Sequence, residues 1–434
     1  MEGFRVRGGE RIRGEVSIGA AKNAVLPILA ASILSDTPSE IVHCPQIADV
    51  ESMRGILRCL GCETRWMGQS LRIESQSLRS GDLPGPLSKR VRSSIFLLGP
   101  ALGRLRSAAV VYPGGCEIGL RPIDLHLKGL EEMGVMIREE GGVLRCDGSH
   151  MHAADVHLDY PSVGATENVM MAAVLTPGRT TISNAAREPE IVDLQDYINA
   201  MGGRVQGAGS PTVAIEGVRR LHGVAYEPMF DRIAAGTYLC AAAITGGEIT
   251  LRNAQSAPMT AVLQKLREMG CEISESRQGI ALLAPKRLRP LSILQTQPHP
   301  GFPTDMQSPM LALAAVADGS SMVVENVFEN RFTLAGELNR MGANIRVSGR
   351  AALVRGVERL HGAHVQARDL RGGAALVIAA LAAEGESLIA GADLIDRGYE
   401  RMEDALSSLG AAIVRERLPE QTDWMEYNDG KSEG

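Results

Sequence analysis

The strongest constraint on this chain is a pattern that returns six times: "LRCLGCET", "LEEMGVMI", "INAMGGRV", "LREMGCEI", "LNRMGANI" and "LSSLGAAI". Each reads as the last turn of an amphipathic helix, a glycine that ends it, and the start of a strand. The glycines are Gly61, Gly134, Gly202, Gly270, Gly342 and Gly410. Their steady spacing, held over all six copies, marks a repeat architecture. A second helix precedes each glycine: "AKNAVLPILAASIL", "RSSIFLLGPAL", "ATENVMMAAVL", "IAAGTYLCAAAI", "SPMLALAAVA" and "GGAALVIAALAA". These are small and apolar on nearly every side, so each is expected to be buried all round. Short alternating runs such as "TTISNA", "GEITLRNA" and "SMVVENV" read as strands. One repeat is therefore a buried helix, a strand, an amphipathic helix and more strand.

A chain of 434 residues exceeds one ordinary core, so two domains of three repeats each are expected. The fold class is α/β, with helices inside and sheets outside, and loops at one end of each domain facing each other across a cleft. A net charge of −6 provides no electrostatic footprint for nucleic acid. No apolar run reaches the roughly 18 residues of a membrane span, and the N-terminus lacks the apolar stretch of a signal peptide. Seven cysteines without framework spacing point to a reducing cytoplasm. Cys59 and Cys62 spell CxxC, but Cys62 follows the capping glycine as Cys271 does in its own repeat. Small buried residues are the reading preferred over a metal or redox pair, and no second pair or histidine cluster offers further ligands.

Alignment on the glycines shows where the repeats carry charge. Arg121 stands at the same offset before Gly134 as Arg397 does before Gly410, which predicts both at the start of an amphipathic helix, in opposite domains. Lys22, Arg92, Asp305 and Arg371 fall at the starts of small-residue helices. Helix N-termini bear free N–H groups and partial positive charge, and basic residues there do nothing for the helix itself. The set therefore reads as a cleft for anionic ligands. Asp305 is the acid among them. As a helix cap its loss would cost about 1 kcal/mol; in a cationic cleft it is also placed to act as a general base.

"YPGGCEIGLRPIDLHL" puts Cys116 on a glycine-rich loop leading to the helix near Arg121. A thiol beside arginine and a helix N-terminus becomes acidic and reactive. Spacing alone leaves a packed thiol and a functional one equally open.

Six segments carry a resemblance: "AKNAVLPILAASIL", "PGGCEIGLRPIDLH", "NAAREPEIVDL", "FPTDMQ", "VFENRF" and "IDRGYERMEDAL". Over about residues 1–418 the chain resembles the UDP-N-acetylglucosamine 1-carboxyvinyltransferases, enolpyruvyl transferases of bacterial peptidoglycan synthesis. That resemblance implies two inside-out α/β domains of three repeats each. The expected division is 22–229 for one, 1–21 with 230–418 for the other, and 419–434 as a disordered tail. It also implies the substrates phosphoenolpyruvate and UDP-N-acetylglucosamine, no cofactor and no metal, with the oligomeric state left open.

The resemblance further implies roles for individual residues. Lys22, Arg121 and Arg397 would hold phosphoenolpyruvate. Asn23, Arg92, Arg121, Pro122, Ile123, Asp124, Leu125, Ser162, Val163, Gly164, Asp305 and Val327 would line the sugar-nucleotide site, joined by Arg331, Asp369 and Arg371. Asp305 would take the proton from the sugar 3-hydroxyl. Cys116 would protonate the methylene carbon of phosphoenolpyruvate and would be alkylated by fosfomycin. Three departures stand out: Gly19-Ala20-Ala21 where the family usually has Ser-Gly-Ala, Tyr160 where some members have Lys, and Leu394 for a common His. The related 3-phosphoshikimate enolpyruvyl transferases lack the cysteine loop, so "PGGCEIGLRP" argues against that activity. Intact Lys22, Cys116, Asp305 and Arg397 argue against a non-catalytic paralogue.

Overall fold

A computed structural model of the chain describes residues 2–83, 85, 88, 92–111 and 123–418. Cys116, Arg121, Pro122 and the tail 419–434 lie outside the described residues, and Arg92 is placed by its backbone alone.

The six glycines behave as their positions dictate. All have positive φ, from 84° at Gly134 to 101° at Gly61, where a Cβ would be strained. Each closes the same pair of hydrogen bonds. In the first repeat Gly61 N donates to Arg58 O and Cys62 N to Leu57 O, the two bonds that satisfy the last carbonyls of a helix. The same pair recurs from Gly134–Val135, Gly202–Gly203, Gly270–Cys271, Gly342–Ala343 and Gly410–Ala411. The helices they end are amphipathic: in Ala48–Cys59 the side chains of Val50, Met53, Ile56 and Leu57 are buried on one face. Cys59 ends this helix on its other face and is exposed, whereas Cys62 is buried; only one of the pair is a packed residue.

The small-residue helices are buried on all sides, as in Lys22–Ala31, Val163–Ala173, Arg232–Thr245, Gln307–Ala315 and Leu370–Ala382. Small side chains let them approach closely. A Cβ on Gly99, in the helix Leu98–Leu105, would stand 2.3 Å from Asn168 O. Asn168 Oδ1 accepts the Gly99 N–H at 2.7 Å in the same contact.

Among the described residues the strands form six sheets, five of four strands and one of three. Their pairing is the same throughout. Thr212–Glu216 pairs antiparallel with Arg179–Ser183 and Val205–Gln206, while Asp155–His157 adds to Arg179–Ser183 in parallel. In the three-stranded sheet the parallel member is reduced to a single bridge, Asp82 to Ala109. The N-terminus and one mid-chain segment supply strands that the repeats lack. Glu2–Arg7 runs antiparallel between Glu386–Ala390 and Ala412–Arg417, Arg13–Ser17 runs parallel to Glu248–Arg252, and Ala225–Tyr226 closes the first repeat beside Ser39–Ile41.

Apolar side chains gather in two large cores. One runs from Ala20 to Leu221; the other takes Phe4 to Ile18 and then Ile233 to Ile413. The result is an α/β fold of two three-repeat halves, helices inside and sheets outside. The chain crosses between the halves twice, and the crossings lie side by side: Ala21 N donates to Met229 O and Asp231 N to Gly19 O, each at 2.8 Å. None of the described helices is long and apolar enough to cross a membrane.

Candidate active site

Helix starts of both halves converge between the two cores. Lys22 opens its helix in the first half; Asp305 sits in the turn Thr304–Met306 before Gln307–Ala315, and Arg371 is the second residue of Leu370–Ala382. Arg92 opens the 3-10 turn Arg92–Leu97. Arg397 differs from its sequence expectation. It lies not on the amphipathic helix but in the turn between Ala392–Ile395 and Met402–Ser408. The sixth repeat inserts a short helix there, so counting back from the glycine overruns the helix start.

Asp305 caps neither of the helical turns beside it. Its carboxylate is held instead by two arginines: Arg331 Nη2 reaches Oδ1 at 2.9 Å, and Arg371 Nη2 and Nε reach Oδ2 at 3.0 and 3.2 Å. Asn23 of the first half donates to the same Oδ2 at 3.4 Å. The arginine side chains are only 2% and 3% exposed, while Asp305 is 25% exposed. Arg371 lies over the Tyr399 ring, 5.3 Å from its centroid, and Arg331 over Phe328 at 5.6 Å. The carboxylate is thus oriented by buried cations and keeps one side toward solvent.

A second cluster forms on a residue that sequence reasoning missed. Asp49, buried in the first turn of Ala48–Cys59, binds Lys22 Nζ at 2.7 Å. It also accepts from Arg397 Nε at 2.9 Å and Nη2 at 3.3 Å. Arg397 belongs to the other half, and the backbone follows it across: Ala48 N donates to Asp396 O at 2.9 Å. Burial lowers the Lys22 ammonium below the ordinary lysine value; Asp49 opposes this, while Arg371 and Arg397 add to it. Burial pushes Asp49 up, but Lys22 and Arg397 outweigh it and hold the carboxyl below the usual carboxylate value. A signal existed in the sequence: the offset of Asp49 from Gly61 falls one position short of the offset that Arg121 and Arg397 share in their own repeats.

The remaining expected residues fall around these clusters. Ser162 caps the helix Val163–Ala173, accepting from Ala165 N at 3.3 Å. Gly164 follows in its first turn, where a Cβ would meet His126 Nε2 at 2.5 Å. Ile123 is fully buried and precedes Asp124–Glu132, leaving Asp124 exposed and Leu125 half-buried. Val327 is held by Glu325, which accepts its N–H at 2.8 Å. The same carboxylate accepts the Thr296 hydroxyl at 2.7 Å and the Thr304 hydroxyl at 3.0 Å. Buried Glu325 thereby ties the Val327 loop to the turn bearing Asp305, a second positioning residue the sequence reading did not find. Asp369 turns back into its own helix, accepting from Arg371 N and Gly372 N at 3.0 Å; it sets the start of the helix that carries Arg371.

Between the halves, Pro161, Asn184 and Arg187 face Gln297–Gly301 across a cavity of about 460 Å³. Tyr160, 44% exposed, precedes it. Burial raises its hydroxyl above the ordinary phenol value, helped by Glu188 and Glu325 and opposed by Arg350, so it stands there as a neutral phenol. Leu394 is half-buried in the short helix before Arg397. No group of three or more metal-ligating side chains occurs among the described residues.

The arrangement provides two carboxylates, each held by two basic side chains, on facing sides of one interdomain space. That is apparatus for binding anions and for moving a proton between oxygen atoms.

Comparison with known proteins is consistent with this chemistry. The family model described as EPSP synthase (3-phosphoshikimate 1-carboxyvinyltransferase) matches residues 6–406. UDP-N-acetylglucosamine 1-carboxyvinyltransferase 2 of Caldanaerobacter subterraneus is 49% identical over 96% of this chain and all of its own length. UDP-N-acetylglucosamine 1-carboxyvinyltransferase 1 of Staphylococcus aureus is 46% identical over 96% of this chain and 99% of its own. Among solved structures, the enolpyruvyl transferase NikO from Streptomyces tendae superposes with a TM-score of 0.87 at 23% identity, covering 96% of this chain and 99% of that one. EPSP synthase from Acinetobacter baumannii follows with a TM-score of 0.75 at 16% identity, covering 96% and 100%. The repeat glycines, the facing halves and near-full-length identity to these relatives agree: the chain belongs to the UDP-N-acetylglucosamine 1-carboxyvinyltransferase family of enolpyruvyl transferases.

Proposed function

We propose that the protein transfers the enolpyruvyl group of phosphoenolpyruvate to the 3-hydroxyl of UDP-N-acetylglucosamine, releasing phosphate, as the first committed step of peptidoglycan synthesis in the cytoplasm. The observation that carries this reading is the meeting of Lys22 and Arg397, from opposite halves, on one carboxylate beside Asp305 and Arg371. Two cations brought together from separate cores suit a small, multiply charged anion.

The chemistry needs an acid and a base. Cys116 delivers a proton to the methylene carbon of phosphoenolpyruvate as the sugar oxygen bonds to its neighbour, and Asp305 accepts the proton from that oxygen. The tetrahedral adduct then expels phosphate and loses a proton from the new methyl group, restoring the double bond. Lys22, Arg121 and Arg397 match the charge on phosphate and carboxylate throughout. Asn23, Arg92, the Pro122–Leu125 stretch, Ser162–Gly164, Val327, Arg331 and Arg371 hold the sugar nucleotide, with Asp369 orienting Arg371. The domains that close on it are 22–229 and 1–21 with 230–418. Fosfomycin, a small anionic epoxide, alkylates Cys116.

The test is phosphate release from the two substrates together, with 3-phosphoshikimate as the alternative acceptor. Release dependent on UDP-N-acetylglucosamine supports the assignment. Release with 3-phosphoshikimate instead, or none with either, refutes it.

A further inference from the structure

We propose that Asp49 is a positioning residue of the anion site: its carboxylate, fixed on one half, aligns the Lys22 ammonium and the Arg397 guanidinium side by side to receive phosphoenolpyruvate. The inference rests on the substrate reading above and adds to it a residue that makes no contact with the reacting atoms.

Asp49 is suited to remain in place when a ligand arrives. Its side chain is 5% exposed, and it lies in the first turn of a helix, where the dipole favours an acid. It engages only part of each cation. Lys22 has three N–H donors and spends one on Oδ2. Arg397 meets Asp49 through its Nε–Nη2 edge, and Nη1 takes no part in that pair.

Charge points the same way. Among the described residues of these two clusters, Lys22, Arg331, Arg371 and Arg397 stand against Asp49 and Asp305. The surplus of two positive charges suits a ligand with a phosphate and a carboxylate. Without Asp49 the surplus would rise and Lys22 would face Arg371 and Arg397 with no compensating carboxylate. The other acid at Lys22, Asp231, is spent on backbone: it accepts Lys22 N at 3.1 Å and caps its own helix through Ile233 N and Ala234 N. Gly398 packs on the Lys22 stem and contributes no charge.

Asp49→Asn keeps the shape and removes the charge. Heat titration of phosphoenolpyruvate, which reads binding without turnover, should show its Kd rise at least about tenfold, the loss of roughly one charge-assisted contact. KM for UDP-N-acetylglucosamine should move by less than about threefold. The alkaline limb of phosphoenolpyruvate affinity, read by the same heat titration and so independent of the Cys116 proton, should shift down by about 1 pH unit, because a carboxylate beside an ammonium raises its pKa by that order. Asp49→Glu should restore the alkaline limb, which needs only the charge, but not the full affinity, which needs the shorter reach. That second variant also keeps the test alive should Asp49→Asn fold poorly by circular dichroism. Wild-type affinity and an unmoved alkaline limb in Asp49→Asn overturn the proposal. So does tighter binding, which would make Asp49 a competitor for the cations. A wild type that binds phosphoenolpyruvate but releases no phosphate condemns the functional reading alone; a wild type that binds none condemns both.

Discussion

Asp305→Ala should do two separable kinds of damage. Read as a helix cap, Asp305 would be worth about 1 kcal/mol, but the structure makes it the counter-charge of Arg331 and Arg371, both essentially buried. Removing one partner of a buried pair leaves uncompensated charge and costs about 3–5 kcal/mol. Asp305 is itself 25% exposed, so water entering the space left by its carboxylate will relieve part of this, and about 3 kcal/mol is the expected loss. For a unit of some 200 residues each kcal/mol lowers Tm by roughly 2–4 °C, so the transition of the half containing Asp305 should fall by about 6–12 °C. Loss of the general base should separately cost turnover on the order of 100-fold to 10,000-fold. Scanning calorimetry and phosphate release on the same sample read the two effects. Asp305→Asn separates them further: its amide oxygen still accepts from one arginine, so it should recover part of the stability and none of the turnover. A Tm within about 2 °C of wild type would refute the ion-pair argument. Turnover within a few-fold of wild type would rule Asp305 out as the base.

Further outcomes follow from other parts of the molecule. Burial raises the Asp193 carboxyl to about 6, against hydrogen bonds from Tyr226 and Met229 N that lower it. Its protonated form is therefore the one the fold favours: the stabilisation is complete below the unfolded value of 3.8 and is lost as pH rises through about 6. Urea denaturation of Asp193→Asn should show a shallower decline in stability over that interval than wild type, and parallel curves would contradict it. Burial pushes the Cys62 and Cys146 thiols up to about 11 and Cys44 and Cys271 to about 12. In the native protein iodoacetamide should therefore spare these and label exposed Cys59 with Cys116, while fosfomycin should take Cys116 alone. Cys116→Asp, which retains a proton donor without the sulfur nucleophile, should stay active and resist the drug; peptide mapping that finds fosfomycin on Cys59 would refute this. Gly99→Ala should destabilise the first half by about 1–3 kcal/mol, because its Cβ would lie 2.3 Å from Asn168 O, and an unchanged melting curve would show that the helices can part at no cost.

Sequence by itself determined what depends on neighbours along the chain. A glycine in the left-handed conformation ending an amphipathic helix is a local event, decided within a turn or two of chain, so Gly61 and its five counterparts were legible with their hydrogen bonds in advance. The buried helices were legible because composition on every face is a property of the segment. Placement of Lys22 and Arg371 at helix starts followed from the same periodicity. Tertiary structure decided what depends on which chain segments meet. Nothing local distinguishes Asp305 as a helix cap from Asp305 as the partner of Arg331 and Arg371; that required packing residues 26 and 66 positions away around it. Asp49 looked like an ordinary acid in a first helical turn, and it became the meeting point of Lys22 and Arg397 only because the crossings at Ala21 and Met229 bring two cores face to face. The N-terminal strands likewise complete sheets whose other strands lie in the far half of the chain, from Glu248 onward. Electrostatic pairing acts through space, at distances of about 3–4 Å, and a linear pattern records spacing along the chain but not across it.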